Sequence, residues 1–295
     1  MRLIVAAGLS LAIAGCQTAG TGGAAGSATT SQVPSSSAQN RAPAVSPVSF
    51  AAPTAVPQGR SELVINAATG AELHAVNADA PRFPASLTKM MTLYLLFEDV
   101  SRGRYSLSTP LSVSANAAAR PPAKIGLKAG STITVEQAAR ALAVKSANDV
   151  AMAVAENISG SEAAFARKMT AKARSLGLKR TRFVNASGLP DPAQVTTARD
   201  MAKLGQLLKK RFPQYASYYR AKSFTYQGRT FRATNNLLGS VAGVDGLKTG
   251  YIRLSGYNLV ATGSRNGRQL VVVVMGGKSE SARDREVTRL LETYF

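Results

Sequence analysis

The stretch PASLTKMMTLYLLF, residues 84–97, combines a reactive pair with a long apolar run and decides the fold around it. Beyond Lys89 the residues are apolar on nearly every side of a helix, which is typical of a buried helix. Ser86 and Lys89 stand at its first turn, three positions apart, so their side chains lie on one face and can meet. Because an unpaired ammonium in a protein interior is costly, a Ser–Lys pair here calls for an explanation; the alternative is a chance pair on the surface.

The rarity of other catalytic side chains favours this hypothesis. The 295 residues include one His, His74, and one Cys, Cys16. A multi-His metal site is therefore impossible, and a Ser-His-Asp triad has a single possible His. We expect no metal and no cofactor, and we place His74 on the surface of a hairpin. What remains is a Ser activated by a Lys, and Lys89 is the only Lys with a Ser three residues before it.

A second candidate element is Lys248-Thr249-Gly250, the only Lys-(Ser/Thr)-Gly in the chain. Two strand-like runs follow it, residues 257–262 and 270–275, around an Asn266-Gly267 turn. This pattern predicts an antiparallel hairpin, with Lys248 on or beside a strand of the same sheet. The alternative is a loop Lys before a flexible Gly.

The third candidate, Ser146-Ala147-Asn148, is one of three Ser-x-Asn patterns; the others begin at Ser114, before a proline-containing loop, and at Ser264, in the hairpin turn. This one falls in a short break between two predicted helices, residues 135–144 and 149–158. A Ser and an Asn in such a break can present their side chains into a cleft. Capping the second helix is the alternative role for either residue.

The N-terminus carries the signals of an exported protein. An apolar stretch over residues 3–15 is too short to span a bilayer and is typical of a signal peptide. It ends at Ile13-Ala14-Gly15-Cys16, which resembles a bacterial lipoprotein cleavage box. We therefore expect removal of residues 1–15 and a lipid on Cys16. An ordinary signal cut at a small-residue site is the alternative.

The chain after Cys16 divides into a linker and one domain. Residues 16–57 are mainly small and polar and cannot bury a core, so we expect a flexible, lipid-anchored linker. Residues 58–295 suffice for one large domain, with strands predicted near both ends and helices between them. We expect a membrane-anchored protein facing the periplasm or cell wall, and Gln17 favours the outer membrane where the organism has one.

The formal net charge of +20 and pI of about 10.6 would by themselves suggest nucleic-acid binding. No nucleic-acid motif accompanies this charge, and the Lys and Arg residues are scattered. We therefore predict no nucleic-acid partner and expect anionic cell-wall or membrane surfaces instead.

Taken in order, Ser86-x-x-Lys89, Ser146-x-Asn148 and Lys248-Thr249-Gly250 resemble the three motifs of penicillin-recognising serine enzymes. Longer stretches are similar to the low-molecular-mass D-alanyl-D-alanine carboxypeptidases, namely Phe83–Lys89, Lys145–Asp149, Phe183–Pro190, Asp245–Gly250 and Gly256–Val260. The resemblance covers the predicted domain, residues 58–295, as a serine DD-peptidase catalytic domain. It implies an α+β, β-lactamase/DD-peptidase-like fold: an antiparallel sheet packed with helices, plus an inserted all-helical subdomain.

The resemblance also implies a catalytic role for three residues. The Ser86 hydroxyl would attack the penultimate D-alanine carbonyl of a peptidoglycan stem peptide ending in D-Ala-D-Ala. Neutral Lys89 would accept the proton, and Ser146 would relay a proton to the leaving D-alanine. An ordinary Lys has a pKa near ~10.4, so only about one in 2,500 is neutral at pH 7. Burial and the second cation, Lys248, would both lower the pKa of Lys89.

Substrate-binding roles follow from the same resemblance. Asn148 would hold the substrate's peptide carbonyl and position the base. Lys248 and Thr249, followed by Gly250, would bind the terminal carboxylate. The backbone N–H of Tyr251, with that of the nucleophile, would bind the oxyanion.

Three alternatives stay open on this sequence. A β-lactamase or a DD-endopeptidase could use the same scaffold, and a non-catalytic peptidoglycan-binding lipoprotein could retain it. Class A β-lactamases add a Glu, typically followed closely by Leu-Asn, for deacylation. No Glu-x-x-Leu-Asn occurs here. We therefore expect β-lactams to act as covalent inhibitors that leave slowly.

Overall fold

The computed structural model describes residues 59–295, so the predicted signal peptide, Cys16 and the linker lie outside the described residues. This part of the chain contains nine strands and eight helices. The strands are β1 (Ser61–Asn66), β2 (Glu72–Val76), β3 (Pro110–Ser112), β4 (Thr132–Thr134), β5 (Ser223–Tyr226), β6 (Arg229–Arg232), β7 (Val244–Ile252), β8 (Gly256–Arg265) and β9 (Arg268–Gly277). The helices are α1 (Lys89–Ser101), α2 (Ala115–Ala118), α3 (Val135–Val144), α4 (Asn148–Ser159), α5 (Glu162–Ser175), α6 (Ala198–Arg211), α7 (Ala216–Arg220) and α8 (Glu280–Tyr294).

Five strands form one antiparallel sheet in the order β2-β1-β9-β8-β7. The predicted hairpin is confirmed as β8 and β9, with Arg265 opposite Arg268. Between them Asn266 and Gly267 have φ angles of 51° and 77°, as a two-residue type I′ turn requires. Lys248 lies on β7, as predicted, and β7 is an edge strand of this sheet.

Both faces of the sheet are covered by helices. Alternate residues of β9 point to opposite sides, so Val271 and Val273 join the core formed with α1 and α6. Val272 and Val274 join a second core with Val287, Leu290 and Leu291 of α8. A strand that is buried on both faces must be apolar throughout, which explains the unbroken run of valines.

The apolar helix predicted around residues 84–97 is α1, which lies at the centre of the domain. Eleven of its 13 residues are buried. A 3-10 turn over Ala85–Thr88 leads into it and carries Ser86. Because neighbouring helices cover α1 on all sides, the absence of a polar stripe in its sequence is explained.

The helices between β2 and β5 form the predicted helical insertion, with the two-stranded sheet β3–β4 at its edge. One local prediction is incomplete: the sequence predicts a loop after Ser114, but this segment begins with the short helix α2. Ser114 caps this helix, its Oγ accepting a hydrogen bond from Ala117 N at 2.9 Å. Within residues 59–295, no helix combines the length and apolarity needed to cross a bilayer.

Candidate active site

The three motifs meet at one groove of about 670 Å³, beside the edge strand β7. Its lining includes Ser86, Ser146, Asn148, Thr249, Gly250 and Tyr251. Lys89 and Lys248 are 0% and 1% exposed and lie beneath this surface. The structure therefore brings all eight predicted site residues of the domain together.

Lys89 is held by three groups from three segments of the chain. Its Nζ lies 3.1 Å from Ser86 Oγ, 2.8 Å from Asn148 Oδ1 and 2.6 Å from the Ser187 carbonyl oxygen. An ammonium can donate to all three. A neutral amine has two N–H donors and one lone pair, so it can donate to the amide and the carbonyl while Ser86 donates to the lone pair. The same geometry thus suits a base waiting for the Ser86 proton.

The environment of Lys89 favours the neutral amine. Burial, and then repulsion by the Lys248 ammonium, lower the pKa of Lys89 well below its ordinary value. Attraction by the Asp149 carboxylate acts in the opposite direction and is the weakest of these influences. A buried lysine whose pKa is lowered in this way is suited to general-base chemistry.

The loop that supplies the Ser187 carbonyl is fixed to α1. Thr92, one turn beyond Lys89, donates from Oγ1 to the Ala186 carbonyl at 2.7 Å. Asn185 Oδ1 accepts hydrogen bonds from the backbone N–H groups of Ser187 and Gly188, which shapes the loop from within. The base is therefore oriented by backbone that is itself held in place.

Close packing of Gly188 brings this loop against the nucleophile. A Cβ at Gly188 would lie 1.8 Å from the Ala85 carbonyl oxygen, and its φ is 87°, so only glycine fits. Ala85 has a φ of 49°, a conformation that costs a non-glycine residue of order 1–2 kcal/mol. The strained residue directly before Ser86 is thus enclosed by the loop that holds Lys89.

The break between α3 and α4 forms the second side of the groove. Ser146 has a φ of 63°, and its Oγ is buried without a hydrogen-bond partner among the described residues. Asn148 donates from Nδ2 to the Pro121 carbonyl at 3.1 Å while its Oδ1 contacts Lys89. The N-cap of α4 is Ala147, so neither Ser146 nor Asn148 has the alternative capping role.

Strand β7 forms the third side. Within the described chain, Lys248 Nζ donates to one acceptor, the Thr249 carbonyl at 2.9 Å. Burial, and then repulsion by Arg283, lower the pKa of Lys248 to about 7. Thr249 Oγ1 donates to Thr234 Oγ1 at 2.7 Å. On this side of the groove the Lys248 ammonium has little compensation and lies next to the Thr249 hydroxyl. This arrangement is suited to an anionic ligand.

Two contacts attach the nucleophile's turn to the sheet. A Cβ at Gly250 would lie 3.1 Å from Ser86 N, a tight contact, so β7 packs closely against the turn. Asn258 on β8 donates from Nδ2 to the carbonyls of Phe83 and Pro84, at 3.2 and 3.4 Å. Ser86 is therefore fixed relative to the edge of β7, where the backbone of Tyr251 lies.

His74 lies apart from the groove, on strand β2 of the predicted hairpin, and its Nε2 is 2.8 Å from Glu62 Oε2. Its side chain is 22% exposed and therefore partly buried, not on the surface as predicted. Across residues 59–295, no three His, Cys, Asp or Glu side chains cluster closely enough to hold a metal ion.

This fold and this site together define the class of penicillin-binding DD-peptidases. The chain belongs to the D-alanyl-D-alanine carboxypeptidase family, peptidase family S11, whose model matches residues 49–279. It is 36% identical over 249 residues to the D-alanyl-D-alanine carboxypeptidase DacA of Escherichia coli strain K12. That alignment covers 81% of this chain, and the chain spans only 62% of the length of the relative.

Solved structures support the same fold. Penicillin binding protein 5 from Haemophilus influenzae has a TM-score of 0.76 and 34% identity, covering 79% of this chain and 69% of that chain. Penicillin-Binding Protein D2 from Listeria monocytogenes, in a cefotaxime-bound form, has a TM-score of 0.72 and 30% identity, covering 79% of this chain and 95% of that chain. The predicted α+β, DD-peptidase-like fold is confirmed.

Sequence reasoning missed several residues that build the site. It assigned no role to Ser187, Gly188 or Asn258, although all three lie in stretches that carried the family resemblance. It did not single out Arg283, which is 2% exposed and lines the groove. No sequence signal separates Arg283 from the other arginines, because its burial depends on how α8 packs against β8 and β9.

Proposed function

We propose that this chain is a serine-type D-Ala-D-Ala carboxypeptidase, which removes the terminal D-alanine from peptidoglycan stem peptides through an acyl-enzyme on Ser86. The observation that carries the proposal is the buried Lys89 amine, 3.1 Å from the Ser86 hydroxyl. Membership of the family and its similarity to enzymes of that name support it.

The first step is acylation. Neutral Lys89 takes the hydroxyl proton as Ser86 Oγ bonds to the carbonyl carbon of the penultimate D-alanine. The carbonyl oxygen becomes an oxyanion, which the backbone N–H groups of Ser86 and Tyr251 stabilise. The peptide C–N bond then breaks, leaving an ester on Ser86.

Asn148 has one free donor for the substrate. Its Oδ1 is engaged by Lys89, and one hydrogen of Nδ2 is used by the Pro121 carbonyl. The second Nδ2 hydrogen is left to donate to a peptide carbonyl of the acyl-donor chain. One side chain therefore positions both the base and the substrate.

The leaving group is bound on the opposite side. Lys248 and Thr249 hold the terminal carboxylate, because an ammonium beside a hydroxyl is suited to that group. The Ser146 hydroxyl, which has no partner among the described residues, gives its proton to the departing amine and takes up the proton that Lys89 accepted, so both residues return to their starting states. Water then hydrolyses the ester and releases the shortened peptide.

β-Lactams should acylate the same serine and be released slowly. Slow release is expected because deacylation by a carboxylate needs one that is free at the groove. Glu280 is the one carboxylate among the described residues lining the groove, and it is engaged in an ion pair with Arg283 at 3.3 Å. Glu156 and Glu162 bind other groups away from the groove, Ser114 and Arg120 respectively. The structures of the Listeria relative in cefotaxime- and ampicillin-bound forms support β-lactams as ligands.

Fluorescent penicillin labelling followed by intact-mass measurement tests the assignment. We expect one adduct on the wild-type domain and none on Ser86→Ala, together with D-alanine release from a D-Ala-D-Ala peptide by the wild type only. Rapid turnover of penicillin would favour a β-lactamase. Cleavage confined to a crosslinked muropeptide would favour an endopeptidase, and no adduct would favour a non-catalytic peptidoglycan-binding protein.

We also propose that Cys16 carries a lipid that anchors the protein to a membrane, facing the periplasm or cell wall. The support is the sequence alone: the apolar residues 3–15 and the only Cys in the chain directly after them. Expression of the full chain with radiolabelled palmitate tests this proposal. Label on the wild type that is lost in Cys16→Ser supports it, and an unlabelled wild type contradicts it.

A further inference from the structure

The groove around Ser86 is lined by more positive than negative charge. Lys124, Lys145 and Arg283 belong to its lining, and Glu280 is the one carboxylate among these residues. The Arg283 guanidinium and the Glu280 carboxylate form an ion pair at 3.3 Å, so their charges compensate each other. Among the described residues that line the groove, no carboxylate compensates the positive charges of Lys124 and Lys145.

Neither lysine forms an ion pair within residues 59–295; Lys124 Nζ lies 3.5 Å from the Ala118 carbonyl oxygen. Asp149, the nearby carboxylate of the same motif, is fully buried. Its oxygens accept hydrogen bonds from the backbone N–H groups of Ile125, Gly126 and Leu127, among others. Asp149 is thus occupied in holding the loop and does not line the groove.

Both lysines are attached to the residues that would hold the acyl-donor chain. Asn148 N donates to the Ala123 carbonyl at 2.6 Å, and its Nδ2 donates to the Pro121 carbonyl at 3.1 Å, which fixes the segment directly before Lys124. Lys145 directly precedes Ser146 in the α3–α4 break. Lys124 and Lys145 therefore lie on the Asn148 side of the groove, across from Thr249.

We propose that Lys124 and Lys145 form a carboxylate-binding subsite, which favours stem peptides whose acyl-donor chain carries a free carboxylate close to the scissile bond. The inference rests on the proposed function and names its substrate class. The terminal carboxylate of the leaving D-alanine goes to Lys248 and Thr249, so these two lysines are available for a second, separate carboxylate. Their ammonium groups, partly or fully open to solvent, would bind it as point charges.

The size of the expected effect follows from this exposure. An ion pair near a protein surface is weak, and each lysine should improve binding by a factor of about three. Together they should give a preference of about tenfold. Because the charges are solvent-accessible, the preference should shrink as salt shortens the screening length to about 3 Å at 1 M.

Two matched peptides test the subsite. Both end in D-Ala-D-Ala and are preceded by acetyl-2-aminopimelate, with its side-chain carboxylate free in one and converted to the primary amide in the other. We expect the wild type to show an approximately tenfold higher kcat/KM for the carboxylate peptide at 50 mM salt and at most a threefold preference at 1 M. In the double variant Lys124→Gln, Lys145→Gln the ratio should fall to about one.

Lys210→Gln is the matched control, because Lys210 is an exposed lysine of α6 outside the groove, and it should keep the wild-type ratio. No preference in the wild type, or an equal preference in the double variant, would overturn the subsite. If neither peptide is hydrolysed, the proposed function fails. The subsite is then still measured by equilibrium binding of the two uncleaved peptides to Ser86→Ala, with the same ratios expected.

Discussion

Lys89 and Lys248 are both buried beneath one groove, yet the two regions around them differ in how completely each amine is bonded. Lys89 contacts three groups, at 3.1, 2.8 and 2.6 Å. Within the described chain, Lys248 has one acceptor, the carbonyl of the next residue. The Lys89 amine is therefore fully engaged by groups of the chain, whereas the Lys248 amine has donors left over for a ligand.

The difference shows how two identical side chains take different roles. The pKa of Lys89 is lowered by burial and by Lys248, and its three neighbours fit a neutral amine. Burial and Arg283 lower the pKa of Lys248 to about 7, and a bound carboxylate would raise it again. On the proposed function, Lys89 accepts a proton and Lys248 binds the substrate carboxylate.

Lys89→Met should produce the largest effect, because it removes the base while keeping a side chain of similar length. We expect the second-order rate of benzylpenicillin labelling to fall by about 10³-fold or more. The melting temperature should change little, since the desolvation cost of the amine is removed while the Asn148 and Ser187 oxygens lose their donor. Labelling at the wild-type rate would exclude Lys89 as the base, and Lys210→Met is the control for loss of one lysine.

Ser146→Ala separates activity from stability. Loss of the proton relay should slow D-alanine release by about 10²-fold. The unfolding free energy should not decrease, because the Ser146 hydroxyl has no partner among the described residues. Thr92→Val is the matched variant: it removes a hydroxyl that donates to Ala186 at 2.7 Å and should cost about 1 kcal/mol. Urea denaturation of both variants measures the contrast, and equal losses would contradict it.

Lys248→Met should reduce kcat/KM by about 30-fold for a peptide with a free terminal carboxylate, since hydrogen bonds to charged groups contribute about 1.5–3 kcal/mol. For the same peptide with an amidated C-terminus, variant and wild type should differ less than threefold. Steady-state kinetics on the two peptides measures this. An equal loss on both would show that Lys248 supports the fold of the groove and not carboxylate recognition.

The last prediction concerns the pH dependence of stability. Between about pH 7 and the ordinary lysine pKa of 10.5, Lys248 is neutral in the folded chain and protonated in the unfolded chain. The unfolded state then binds more protons, so the unfolding free energy should rise with pH in this window. Lys248→Met should have a shallower slope, and Lys210→Met should keep the wild-type slope. Urea denaturation at pH 7, 8 and 9 measures it, and identical slopes in all three proteins would contradict the assignment.

Much of the fold could be predicted because its signals are local, whereas the eight residues at the groove were predicted from three ordered motifs and the family resemblance that these carry. The apolar run after Lys89 predicts the central helix by itself, and Asn266-Gly267 predicts its turn from two residues. The spacing of Ser86 and Lys89 places both at one helical turn. Each of these inferences uses residues that are neighbours in sequence.

The remaining parts depend on contacts between distant segments. Nothing near Ser187 indicates that its carbonyl binds an amine 98 positions away. The need for glycine at position 188 comes from the Ala85 carbonyl, and the burial of Arg283 comes from the packing of α8. Such requirements arise only when the chain is folded, so a local pattern does not contain them.

The three neighbours of Lys89 come from segments that meet only in the finished fold. Before they meet, residue 89 is an ordinary hydrated ammonium and residue 86 an unreactive alcohol. On the proposed function, folding itself activates the nucleophile, and a partly folded chain should be inert toward peptides and β-lactams. Gain of reactivity after dilution from denaturant should accordingly be the last event in refolding, later than the recovery of helix.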